Sequence, residues 1–89
     1  MANIAFTPHL RTVGPTAPTP YEGATLAGVL AAVEADYPRL RGYLLDDQGR
    51  LRKHIAVFID GAMAARETAL DRPLNANSDV FVFQALSGG

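Results

Sequence analysis

Apolar positions along this chain fall into short runs of two different periods, and the changes of period mark its elements. Asn3-Ile4-Ala5-Phe6-Thr7 alternates, with Ile4 and Phe6 on one face, which predicts a short strand. Pro8 lacks an N–H, so ladder pairing on that side stops or faces solvent there. From Arg11 to Pro20 the chain turns loop-like. Pro15, Pro18 and Pro20 exclude a central strand and predict a turn followed by a poor edge strand reaching Tyr21. Beyond Thr25 the period lengthens: Leu26, Val29, Leu30, Val33 and Tyr37 form one stripe of a helix capped by the Thr25 hydroxyl. Pro38 disfavours helical geometry at Tyr37 and ends it there. Gly28 costs about 1 kcal/mol relative to alanine inside that helix, so a close approach of the helix to a sheet is expected at this position.

Arg39 to Leu51 reads as irregular, with a turn at Asp46-Asp47-Gln48-Gly49. His54-Ile55-Ala56-Val57-Phe58-Ile59 is apolar on both faces and suits a central strand. Asp60-Gly61 then predicts a tight hairpin, because glycine accepts the positive φ of a type I′ turn. A short return strand follows at Ala62–Ala65. Glu67 to Leu74 is a mostly polar crossover in which Leu70 and Leu74 are expected to plug the core. Asn75-Ala76-Asn77-Ser78-Asp79 is turn chemistry leading into a last strand with Val80 and Val82 on one face and Phe81 and Phe83 on the other. The order β-β-α-β-β-β with one helix fits an α+β, β-grasp (ubiquitin-like) architecture. Four or five strands of mixed direction would wrap over the helix, with the two terminal strands parallel and central. Should one face of that sheet stay open, Phe58, Phe81 or Phe83 would form an apolar patch of the kind that marks interfaces.

The last residues, Leu86-Ser87-Gly88-Gly89, read as a flexible tail on a domain spanning 1–85. Without Cβ atoms, Gly88 and Gly89 can enter a slot too narrow for side chains. The tail would deliver the α-carboxylate of Gly89, ionised at neutral pH since such groups titrate at about 3.3–3.7. An ionised carboxylate can attack the α-phosphate of ATP and become an acyl-adenylate. A strand, an Asp-Gly turn, a leucine-containing crossover, an Asp-led strand and a Gly-Gly end resemble the MoaD/ThiS family of ubiquitin-like sulfur carriers, over most of the chain from Thr25 onward. That resemblance implies that Gly89 is adenylated by an activating enzyme of the ubiquitin-activating type and then converted to a thiocarboxylate. Leu86, Ser87 and Gly88, with Phe81 and Phe83, would contact partners.

The same resemblance implies a chain that is not itself an enzyme and binds no cofactor or metal, with Mg-ATP used by the activating partner. A rhodanese or cysteine desulfurase would donate the sulfur. A biosynthetic enzyme of a cysteine, molybdopterin, thiamin or related pathway would accept it. The Asp-Gln-Gly-Arg-Leu stretch at 47–51 is more similar to carriers serving cysteine formation than to the small molybdopterin-synthase subunit. Gln84 stands where that family commonly has proline, which bears on how stiffly the tail leaves the body, and Ser87 keeps a small residue before Gly88. Two other readings stay open: a modifier conjugated through Gly89 to lysines of other proteins, and a β-grasp interaction module with an inert tail.

Composition narrows the field further. With 89 residues there is room for one core and hardly for a deep catalytic pocket as well. The absence of cysteine removes disulfides, thiolate chemistry and cysteine-held metal, and leaves the terminus as the candidate for any carried sulfur. No apolar run approaches the length of about 18 residues that spans a bilayer, and Met1-Ala2-Asn3 does not open a secretory signal, so a cytoplasmic protein is the expectation. A net charge of −1 gives no overall attraction to nucleic acid or to an anionic membrane. His9 and His54 lie far apart in sequence, and Asp46-Asp47 suits a turn better than a catalytic carboxylate pair. Arg39, Arg41, Arg50, Arg52 and Lys53 cluster in sequence. They form either a solvated face balanced by Asp46 and Asp47 or a docking patch for an acidic partner. Lys53 is the only lysine, a weak argument for a carrier over a self-polymerising tag.

Overall fold

The computed structural model describes residues 1–85. Five strands form one sheet: β1 (Ala2–Phe6), β2 (Thr19–Tyr21), β3 (Ile55–Ile59), β4 (Ala62–Ala64) and β5 (Asp79–Gln84), in the spatial order β2-β1-β5-β3-β4. The first and last strands run parallel at the centre, and the other pairs are antiparallel. Helix α1 (Leu26–Asp36) lies across one face and a shorter helix α2 (Leu40–Leu44) follows it. This is the expected β-grasp.

Local chemistry accounts for most of the boundaries. The Thr25 hydroxyl accepts from the Gly28 N–H at 3.2 Å and caps α1, a contact worth about 1 kcal/mol. At the hairpin, Asp60 (φ 53°) and Gly61 (φ 86°) both take positive φ, and Ile59 faces Ala62 across a two-residue turn. Asp46 closes the next turn through its Oδ1, which accepts from the N–H groups of Gln48 and Arg50. Those donors, chiefly Arg50, hold its carboxyl below the usual carboxylate range. Ser78, the only polar residue fully buried among the described ones, accepts from the Asn75 N–H through its hydroxyl and sets the start of β5.

The core sits between the sheet and α1. Leu26, Val29, Leu30 and Val33 are each at most 1% exposed, and burying such side chains contributes about 1.5–3 kcal/mol apiece. They pack over an inner row that crosses the sheet from Phe6 to Val82, Val57 and Ala64.

Three local expectations change. The stretch 39–51 is not wholly irregular: Leu40 and Leu44, one turn apart in α2, are fully buried and close one end of the core. Five residues interrupted by Gly42 are too few to reveal a helical period, so burial rather than propensity holds them. Gly28 makes no close approach to the sheet, since a Cβ there would meet only Gly23 and Thr25 at ordinary distances. The close approach belongs to Gly23, where a Cβ would stand 2.5 Å from the Val29 N. In the crossover, Ala69 is the fully buried residue, whereas Leu70 and Leu74 only pack against the core's edge. The question left open by sequence is also answered: β5 is apolar on both faces and covered on one, with Val80 and Val82 buried and Phe81 and Phe83 exposed.

Candidate functional site

The end of β5 is hydrogen-bonded to both of its neighbours. Thr7 N–H donates to the Val82 carbonyl at 3.1 Å, Gln84 N–H donates to the Thr7 hydroxyl at 3.2 Å, and Ala85 N–H donates to the His54 carbonyl at 2.8 Å. Strand β5 is therefore gripped on one side by the end of β1 and on the other by the start of β3. These bonds carry the pairing to the last described residue. The tail residues singled out from sequence, Leu86, Ser87, Gly88 and Gly89, lie outside the described residues.

Phe81 and Phe83 point to the face of the sheet that no helix covers, and are 38% and 39% exposed. The register builds a row across that face: Ala5 beside Phe81, Phe81 beside Phe58, and Phe58 beside Met63, which is 66% exposed. Next to it, Ala56 faces Phe83. A shallow apolar depression of about 420 Å³ lies over this row, bordered by Ala5, Pro18, Phe58 and Phe81. The outer face is thus an apolar surface that runs along β5 to Phe83, near its end, and it unites Phe58, Phe81 and Phe83, which sequence left as alternatives. Ala5 and Met63 join them unannounced. The hairpin register would have found Met63, since a two-residue turn at Asp60-Gly61 sets it opposite Phe58.

A second, narrower crevice of about 240 Å³ opens beside the root, lined by Thr7, Pro8, His9, Phe83 and Gln84. The Gln84 Oε1 is buried without a hydrogen-bond partner among the described residues. Gln84 also uses its N–H, which the proline common at this place in the resembling family could not.

The remaining candidates disperse. His9 packs near the Tyr43 ring, with centroids 6.3 Å apart, while His54 stands at the start of β3. No group of three or more potential metal ligands occurs among the described residues, and none of their helices is long and apolar enough to cross a membrane. Asp46 serves its turn. The basic cluster splits in space: Arg41 pairs with Glu34 at 3.5 Å, and Arg39 lies beside Pro38 along a separate depression. Arg50, Arg52 and Lys53 stay together and are joined by Arg66, which sequence gave no reason to include.

The fold matches SAMP1 of Haloferax volcanii with a TM-score of 0.80 and 26% identity, covering 99% of this chain and 98% of that one. It matches a chain of the Amycolatopsis orientalis BexX/CysO complex with a TM-score of 0.87 and 19% identity, covering all of both chains. For CysO of Mycobacterium tuberculosis the TM-score is 0.85 at 19% identity, over 97% of this chain and 100% of that one. No curated protein matches it in sequence. Residues 9–89 match the model of the ThiS family, so the chain belongs to that family, whose members are ubiquitin-like sulfur carriers or modifiers.

Proposed function

We propose that this chain is a sulfur carrier whose working group is the α-carboxylate of Gly89. A carboxylate oxygen attacks the α-phosphate of ATP in an activating enzyme, pyrophosphate leaves, and the terminus becomes an acyl-adenylate. Hydrosulfide then displaces AMP at the carbonyl, or a donor's persulfide does so and a second thiol cleaves the resulting acyl disulfide, leaving with the donor sulfur as a disulfide. The thiocarboxylate so obtained passes its sulfur to a biosynthetic enzyme. The carrier contributes no catalytic side chain to these steps. Its part is to present the terminus and to be recognised, so Mg-ATP and rate enhancement belong to the partner.

The observation that carries this reading is the seating of β5. It is the central strand, hydrogen-bonded to the start of β3 as far as Ala85 and to the end of β1 as far as Gln84, and so offers a tail a rigid base. The apolar outer face, with Phe81, Phe83 and Met63 exposed on it, is a surface of the chemistry that marks interfaces, which supports docking by a partner. The likeness to a CysO chain solved together with BexX also favours a domain handled by partner proteins. Intact mass measured after incubation with an activating enzyme, ATP and a sulfur donor tests the proposal. A gain equal to exchanging one oxygen for sulfur is expected, and its absence with every such enzyme counts against it.

A second reading, conjugation through Gly89 to lysines of other proteins, is favoured by the likeness to the small archaeal modifier protein of Haloferax volcanii. It predicts a ladder of higher-mass species that survives reducing, denaturing gels. Loss of Gly88 and Gly89 would abolish activity under either reading, whereas an inert tail would leave it intact.

A further inference from the structure

Beside the tail's root, on the flank of the sheet rather than its open face, four cations surround one groove. A cleft of about 560 Å³ is lined by Asp46, Arg50, Lys53, Arg66, Glu67 and Leu70. A smaller one of about 290 Å³ shares Asp46, Lys53 and Arg66 and adds Arg52 and His54. The shared residues make the two continuous. The groove reaches His54, whose carbonyl holds the Ala85 N–H, so it abuts the point where the tail departs.

Its walls are built rather than incidental. The Arg66 guanidinium donates through Nη1 to the Leu51 carbonyl at 3.0 Å, and Arg52 donates through Nε to the Gly42 carbonyl at 2.9 Å. Those bonds fix two charges and leave their remaining N–H groups for other acceptors. Arg50 and Arg66 have weak ion pairs with Asp46 and Glu67, at 3.5 and 3.9 Å. Lys53 is exposed and makes no ion pair among the described residues. Four cations against two carboxylates give a local positive field on a protein whose net charge is −1.

We propose that this groove docks an acidic segment of the partner protein that takes hold of the tail, with carboxylates on Lys53, Arg66 and Arg52 and an apolar side chain on Leu70. The occupant is inferred from charge complementarity and from continuity with the tail's root. A nucleic acid fits less well, because Asp46 and Glu67 sit inside the groove and repel a continuous phosphate chain, and no Phe, Tyr or Trp ring lines it for bases to stack on. The identity of the partner rests on the carrier reading. The acidic preference does not.

The test uses the full chain and a hexaglutamate peptide ending in leucine, titrated at low salt while backbone amide resonances are followed. Shifts are expected at 50–54 and 66–70, weakening as salt is raised. Lys53→Glu, at a side chain with no hydrogen bond among those of the described residues, should weaken binding about tenfold. Arg39→Glu makes the same change of net charge outside the groove and should leave binding unaltered. Equal weakening by both variants, shifts elsewhere on the surface, no shifts at all, or a preference for a single-stranded oligonucleotide of matched charge would each overturn the proposal. With an activating enzyme, Lys53→Glu should raise KM for this chain and leave kcat unchanged. If no enzyme adds mass to the terminus, the carrier reading fails while the peptide titration still decides the groove.

Discussion

The backbone N–H of Ala85 meets the carbonyl of His54 at 2.8 Å. This bond extends the pairing of β5 with β3 past the last strand residue, to the end of the described residues. Ala85→Pro removes the donor, while the restriction that proline places on Gln84 already suits a strand. The expected cost is about 1 kcal/mol in chemical denaturation, the net value of one hydrogen bond. Amide exchange at Ile55 and Gln84 should quicken in the same variant.

Inner and outer faces of β5 should respond differently to substitution, one in stability and the other in recognition. Val82 is completely buried, and Val82→Ala is expected to lose about 2 kcal/mol through lost transfer energy and the cavity left behind. Phe81→Gln and Phe83→Gln remove partly exposed rings and should cost stability less than that. Their larger effect is expected on KM in an activation assay, because the outer face would lose its apolar row. A melting series beside that assay separates the two.

Gly28→Ala and Gly23→Ala should move stability in opposite directions. At Gly28, a solvent-facing helical position with only ordinary contacts around an added Cβ, alanine should stabilise by about 0.5–1 kcal/mol. At Gly23 the added carbon would stand 2.5 Å from the Val29 N and 2.8 Å from its Cγ2. Alanine there must push the chain off the first turns of α1, and thermal melting should fall.

The Tyr21 hydroxyl donates to Asp36 Oδ2 at 2.8 Å, tying edge strand β2 to the end of α1. Burial, and then this bond to a carboxylate, push the phenol up from 10.0 to about 12. The folded state therefore favours the protonated phenol. Its contribution is full below pH 10 and is lost as pH rises from 10 through about 12. Tyr21→Phe should flatten this alkaline loss in denaturation curves recorded across that window.

Legibility in sequence followed the range of the interaction concerned. The Thr25 cap, the Asp60-Gly61 turn and the boundary at Pro38 depend on residues a few positions apart, and all are where local chemistry puts them. Leu40 and Leu44, and Leu10 and Val13 in the stretch before β2, are buried for another reason. The ends of the core need covering, and no local period announces that. At the candidate site, Phe81 and Phe83 were legible as strand residues. The grouping of Arg66 with Arg50, Arg52 and Lys53 was not, because a hydrogen bond from Arg66 to the Leu51 carbonyl across 15 positions creates it.

By itself, then, the sequence determined the order of the strands and of α1, the tight turns at Asp46-Asp47-Gln48-Gly49 and Asp60-Gly61, and the Gly-Gly end that the family resemblance reads as the working group. Only the tertiary structure decided which apolar face of β5 stays open. An 11-residue helix is about 16 Å long and covers one side of a five-stranded sheet. Val80 and Val82 lie beneath it, and Phe81 and Phe83 are left on the outside.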